Sequence, residues 1–474
     1  MMDFFKMTIM EIAEAVKTKR CSAVQVLEFF VDRCEKHKKY NAIVEIFDDC
    51  FERAKQIDQK IAKGKKVGKL AGVPIAIKDN ICKKGKTASC ASKMLLETSA
   101  PYSATLVERL ENEDAVVFAR CNMDEFAMGG SCEKSVFGPT HNALDFERVA
   151  GGSSGGSAVC VALGLAPCAI GTDTGGSIRQ PASFNGVVGV KPTYGTVSRF
   201  GVVAFASSLD QTSPICKTVG ECEFVLGVMC GIDDKDQTSI ASQIEPSACA
   251  KKGKVGIVKQ VYEMMTETCK KQMQILAKDL QTLGFEIVQV DVPHIKHSLA
   301  CYYVLSTAEA SSNLSRFDAV KYGFRQESKS LEEMYEKSRS LGFGKEVKRR
   351  ILLGNFVLSS GYFDAYYAKA VKLKSLLSKE FESAFEKCDV IVLPTSPSCA
   401  FKIGEKGKSS VDMFLEDLFT VPASLAKLPA ISVPFAKHLK LPLGVQVIAG
   451  EKQDEKMFAF AKTIEKLGGE KYEV

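Results

Sequence analysis

The chain has 474 residues, with 63 Lys and Arg against 57 Asp and Glu and a formal net charge of +6. Its 46% hydrophobic and 25% charged residues exclude a disordered chain, a collagen-like repeat and a small stapled scaffold. The length allows one large α/β unit or two or three ordinary domains, and the small basic excess argues for no nucleic-acid surface.

The first sixty residues read as helices, because Ile9, Ile12 and Val16, then Val24, Val26, Leu27, Phe30 and Val31, recur at helical spacing. The opening MMDFFKMTIMEIAEAV carries Asp3 and Glu11 and lacks a basic segment before an apolar one, so no signal peptide is expected. LAGVPIAIK (70–78) is an apolar, β-branched run that ends on Lys78. A helix is expected over 104–111 and a strand over AVVFARCN (115–122). The longest uncharged stretch, 149–172, opens on GGSSGG, and its apolar part over 158–171 contains Pro167. That part is too short to cross a bilayer, so a buried helix and strand are expected.

Further on, KVGIVK, a helix through Leu280 and FEIVQVDV read as strand, helix, strand. Residues 345–388 read as helical, DVIVLPTSP (389–397), ISVPF (431–435) and PLGVQVIAG (442–450) as strands, and a last helix starts near Asp454. Helix and strand alternate, which predicts an α/β fold with a mixed sheet covered by helices. No repeat and no Pro/Ser-rich linker divides the chain. One domain over 1–474 is therefore expected: N-terminal helices over 1–60, a core over 65–225, and the rest of the sheet with its covering helices over 226–474.

Seventeen cysteines run from Cys21 to Cys399, and no two are three apart, so no C-x-x-C pair exists. Many sit in apolar runs, as Cys160 and Cys168 do. This predicts a reducing, cytoplasmic setting.

Three features could carry chemistry. The first is GGSSGGS (151–157), which runs directly into an apolar helix. A flexible linker would not do so, and a phosphate loop would end in G-K-[ST]. The pattern also matches G-x-S-x-G twice, but the preceding Asp145, Phe146, Glu147 and Arg148 form no core strand. His294, His297 and His438 read as surface residues, so a serine enzyme here needs another base, and lysine is the usual substitute. The second feature is GTDTGGSIRQP (171–181), where a strand over 166–170 feeds a glycine turn that opens a short helix. That turn aims several N–H groups at one point beside Ser177, although a plain capped turn would have the same pattern. The third is Lys78. Alone it reads as a solvated charge; buried, its pKa would fall toward neutrality.

Together, Lys78, GGSSGGS and GTDTGGSIRQPA (171–182) closely resemble the amidase-signature family. Within it they resemble the glutaminase subunits of tRNA-dependent amidotransferases, through NMDEFAMGGS (122–131), KPTYGTVSRFGVVAFASSLDQ (191–211), FGKEVKRRILLG (343–354) and SSGYFDAYY (359–367). The resemblance implies one α/β/α domain and a Ser–Ser–Lys triad: Lys78 as base, Ser153 as bridge behind a cis Gly152–Ser153 peptide, and Ser177 as nucleophile. It implies an oxyanion hole from the N–H groups of Thr174, Gly175, Gly176 and Ser177. It further implies a glutamine pocket with Gly130, Tyr302, Arg350 for the carboxylate and Asp417 for the ammonium, with Arg349 the competing register. Asp173 and Arg179 are expected behind Ser177, or else as a surface pair. The family pattern implies no cofactor or metal in this chain. ATP and Mg²⁺ would belong to a partner subunit that amidates Glu-tRNA(Gln), with Asp-tRNA(Asn) left open as an additional acceptor, in a heterotrimer with subunits B and C and without a membrane. Ala150, Asn185 and Thr196 depart from the family pattern, outside the triad. The rival readings are a free-standing amidase and an inactive scaffold subunit.

Overall fold

The computed structural model describes residues 2–405 and 415–468. Eleven strands form a single mixed sheet: β1 (Ile43–Ile46), β2 (Pro74–Lys78), β3 (Val116–Cys121), β4 (Cys168–Asp173), β5 (Val188–Lys191), β6 (Gln211–Cys216), β7 (Lys254–Val258), β8 (Glu286–Val290), β9 (Val390–Pro394), β10 (Ala430–His438) and β11 (Leu441–Ala449). Their spatial order is β1-β3-β2-β4-β6-β5-β10-β11-β9-β7-β8, with helices packed on the sheet.

Every residue of β2, β3, β4 and β6 is buried. Strands covered on both faces lose the in–out alternation and become continuous apolar runs. That is why PIAIK and CAIGTD look as they do. β2 runs parallel to both β3 and β4, with Ile75 opposite Cys168 and Ile77 opposite Ile170. The loops that follow Lys78 and Asp173 therefore leave the same edge of the sheet. Ligand sites gather where parallel strands end in this way.

Two stretches depart from the sequence reading. The first sixty residues are not all helical: β1 follows the helices Ile9–Lys17 and Ala23–Lys36 and pairs antiparallel with β3. Four residues are too few to display a period, and only the open edge of β3 decides their conformation. The helical stretch 345–388 is broken between Lys345–Leu358 and Ala368–Phe385. Ser359, Ser360 and Gly361 lie at the break, and Gly361 takes φ +85°, a left-handed value that favours glycine. One contiguous hydrophobic core reaches from Phe4 to Ile464.

Candidate active site

β2 delivers Lys78 to the centre of the site with none of its surface exposed. Its Nζ lies 2.7 Å from Ser153 Oγ, 2.8 Å from Ser154 Oγ and 2.8 Å from Thr172 Oγ1. Ser154 donates its own proton to the Thr172 carbonyl at 3.0 Å, so its oxygen accepts from Lys78. A neutral amine has two N–H groups and one lone pair. With Ser154 and Thr172 accepting, the lone pair is left for the Ser153 hydroxyl. Burial holds the Lys78 pKa down to about 7, against the pull of Asp124 and weaker influences from Cys132, Asp173 and Asp210.

Ser153 sits in a loop that only glycine permits. Gly151 has φ +76°, the Gly152–Ser153 peptide is cis as the family pattern implied, and a Cβ on Gly152 would lie 2.2 Å from Asp124 Oδ2. The helix Gly155–Ala162 starts directly after it. Two hydrogen bonds tie this loop to the next one: Ser154 N–H donates to the Ser177 carbonyl at 3.0 Å, and Gly152 N–H to Gln180 Oε1 at 2.9 Å.

The second loop follows β4. Asp173 accepts both Nε and Nη2 of Arg179 at 2.9 Å, and neither residue is exposed. The pair is thus an interior clamp and not a surface pair. Arg179 reaches on to the Thr420 carbonyl and the Ser424 hydroxyl, 2.8 and 2.9 Å away, which anchors the loop to the helix Val421–Leu425. Of the four N–H groups expected in the oxyanion hole, that of Gly176 is occupied, because it donates to Asp173 Oδ1 at 2.8 Å. A short turn with a buried carboxylate at its base draws its own amide inward, which sequence spacing does not reveal. The Thr174 hydroxyl donates to Asp210 at 2.7 Å, and the Thr420 hydroxyl to the Gly175 carbonyl at 2.6 Å. Ser177 is 9% exposed.

Three of the expected pocket residues, Tyr302, Arg350 and Asp417, gather around Tyr303. Tyr302 lies against Gly175, where a Cβ would be 2.6 Å from the ring. Arg350 is buried on the helix Lys345–Leu358, its guanidinium over the rings of Phe205 and Tyr303, and its Nε 2.9 Å from Glu346. Arg349 also meets Glu346 but leaves 41% of its side chain exposed, so the inward register belongs to Arg350. Asp417 Oδ2 accepts the Tyr303 hydroxyl at 3.1 Å. Burial pushes its pKa up to about 7, although Tyr303 and Arg350 oppose the rise. The Gly130 carbonyl accepts from Gln180 Nε2 at 2.9 Å. His294 lies apart, bonded to Glu380.

Several residues at the site escaped the sequence reading. Ser154, Thr172 and Gln180 lay inside the two motifs, Asp124 and Asp210 inside quoted blocks, and Tyr303 beside Tyr302. Nothing in their spacing marks them, because each acts through a neighbour distant in the chain.

A buried lysine bonded to a serine behind a glycine turn, with a second serine loop stitched beside it, is an arrangement suited to amide hydrolysis. The family model described as Amidase matches residues 25–458, and the chain belongs to that family. Over 98% of its length it is 46% identical to the A-subunit of the glutamyl-tRNA(Gln) amidotransferase of Sulfurihydrogenibium sp. (strain YO3AOP1), covering 98% of that protein. It is also 46% identical to the corresponding protein of Thermoanaerobacter pseudethanolicus (strain ATCC 33223 / 39E), with 98% and 97% of the two chains covered. The crystal structure of the Thermotoga maritima counterpart superposes with a TM-score of 0.80 at 39% identity, over 98% of this chain and 96% of that one. An amidase crystal structure gives a TM-score of 0.83 at 30% identity, over 98% of this chain and 100% of that one.

Proposed function

We propose that this chain is the glutaminase subunit of a glutamyl-tRNA(Gln) amidotransferase and hydrolyses the side-chain amide of glutamine. The observation that carries the reading is the 2.7 Å contact between Lys78 Nζ and Ser153 Oγ, made by a lysine whose pKa burial lowers to about 7.

Neutral Lys78 takes the Ser153 proton as Ser153 takes that of Ser177. Ser177 Oγ then bonds to the amide carbon, and the oxygen charge is met by the N–H groups of Thr174, Gly175 and Ser177. The proton returns through Ser153 to the leaving nitrogen, the C–N bond breaks and ammonia departs. Water, deprotonated by the same relay, cleaves the acyl ester and releases glutamate. Arg350 presents a planar fork suited to the α-carboxylate, and Asp417 an acceptor for the α-ammonium. Tyr302 touches the loop at Gly175 and Gly130 is tied to it through Gln180, while Asp173 and Arg179 hold the loop.

The names of the relatives support a multi-subunit assembly. In that reading subunits B and C complete a heterotrimer, and the partner that binds ATP, Mg²⁺ and Glu-tRNA(Gln) receives the ammonia. The seventeen free cysteines, most of them buried, support a reducing cytoplasmic setting. One sheet and one main core, with two small satellite clusters, through the described residues support a single-domain organisation. The test is ammonia release from glutamine by the full chain, then transamidation of Glu-tRNA(Gln) with subunits B and C and ATP. Hydrolysis of other amides without any stimulation by the partners would make the chain a free-standing amidase instead.

A further inference from the structure

The acidic groups around Lys78 are not equivalent. The carboxyl groups of Asp124, Asp173 and Asp210 act on its charge, and the thiols of Cys132 and Cys90 also lie near it. Burial pushes both thiols up, Cys132 to about 12, so they stay neutral. Asp173 is paired with Arg179, and Asp79, beside Lys78, with Arg120. Asp210 accepts the Thr174 hydroxyl and the N–H groups of Phe205 and Ala206, and burial raises it to about 6.

Asp124 differs from all of these. It is fully buried, and among the described residues its oxygens accept from backbone N–H groups, Cys132 at 2.9 Å and Lys134 at 3.2 Å. Its own N–H donates to the Ser153 carbonyl at 3.3 Å. A Cβ on Gly152 would lie 2.2 Å from Oδ2, and one on Gly129 would lie 2.3 Å from Cγ. The carboxylate therefore fills the gap between two glycines, directly behind the bridging serine.

We propose that Asp124 is a positioning residue of the serine–lysine relay: its buried carboxylate locks the 129–134 turn against the Gly152–Ser153 peptide and places an acidic group directly behind the serine that Lys78 bonds. A buried amine without a nearby anion loses basicity, and charge–charge attraction is strong where water is excluded. Asp124 is the largest influence opposing the desolvation of Lys78. The proposal rests on Lys78 being the base.

The test is the pH dependence of Ser177 sulfonylation by phenylmethanesulfonyl fluoride, followed by intact mass of the full chain. In this reaction the Ser177 Oγ–S bond forms, the S–F bond breaks, fluoride leaves, and the proton passes through Ser153 to Lys78. The reagent lacks the α-groups of glutamine, so the readout is independent of Arg350 and Asp417. In the unaltered chain labelling should fall as pH drops through about 7. Asp124→Asn and Asp124→Ser both remove the charge but pack differently. Both should move the acid limb down by about one pH unit and lower the plateau several-fold, because a weaker base transfers the proton less well. A limb that stays in place while the rate or thermal midpoint falls would assign Asp124 a structural role and overturn the proposal. So would failure of both variants to fold. Labelling of the unaltered chain that is flat across the range would instead remove Lys78 as base, which is a distinguishable result.

Discussion

The catalytic loops and the recognition wall meet at Gly175 but are held in place by different means. The second loop leaves the sheet at the end of β4, the first runs into the helix Gly155–Ala162 beside it, and both are fixed mainly by each other and by buried charges: Ser154 to Ser177, Gly152 to Gln180, Asp173 to Arg179. The wall is assembled from helices that arrive much later in the chain, through Tyr302, Tyr303, Arg350 and the turn bearing Asp417. In the proposed function, chemistry is built onto the sheet and selection of the nitrogen donor is laid over it. Damage to the loops should end glutamine hydrolysis outright. Damage to the wall should change how well glutamine is held.

The largest effect is expected at Ser177. Ser177→Ala should lower ammonia release from glutamine by about 10⁴-fold or more while the circular dichroism spectrum stays native. Near-normal turnover in the folded variant would remove Ser177 as nucleophile. Lys78→Arg comes next, with a loss of about 10³-fold or more, because a guanidinium stays protonated and cannot accept from Ser153. An active arginine variant would refute the base role.

The wall should behave otherwise. Arg350→Ala should raise the KM for glutamine and cost about 2–5 kcal/mol in kcat/KM, the loss typical of one desolvated ionic contact. In the assembled enzyme it should spare transamidation from ammonium, which needs no glutamine pocket. Equal losses with both donors would show that Arg350 supports the fold or a partner contact instead.

Acid pH should touch both regions at once. In the proposed roles Lys78 acts when neutral and Asp417 binds when ionised, and burial brings the pKa of each to about 7. Each is lost as pH falls through that value, so log kcat/KM should approach a slope of about two on the acid side. Asp417→Asn should reduce the slope to one and raise KM; an unchanged slope would uncouple Asp417 from binding. The smallest effect is expected at Arg349, which is partly solvated. Arg349→Ala should change kcat/KM by less than about threefold, and a loss as large as that of Arg350→Ala would reverse the register.

Residue order carried most of the catalytic half. PIAIK and CAIGTD are apolar because their strands are covered on both faces, and glycines at 151, 152, 175 and 176 mark places where a side chain would collide with Asp124, Gln180, Tyr302 or Thr420. Such constraints are local and leave a trace in composition, so Lys78, Ser153 and Ser177 could be named from their motifs and the family resemblance. The identities of Arg350 and Asp417 came from that resemblance alone, since a charged residue beside Lys348 or Glu416 looks solvated in one dimension. Other features were settled by long-range pairing. The β1 edge exists because β3 offers an unpaired side. Arg350 points inward because Phe205, Tyr303 and Glu346 surround it. The Gly176 N–H turns away from the site because Asp173 lies beneath it. The pKa of Lys78 belongs to the same class: burial depends on the whole sheet closing around a strand end, and no sequence neighbour records it.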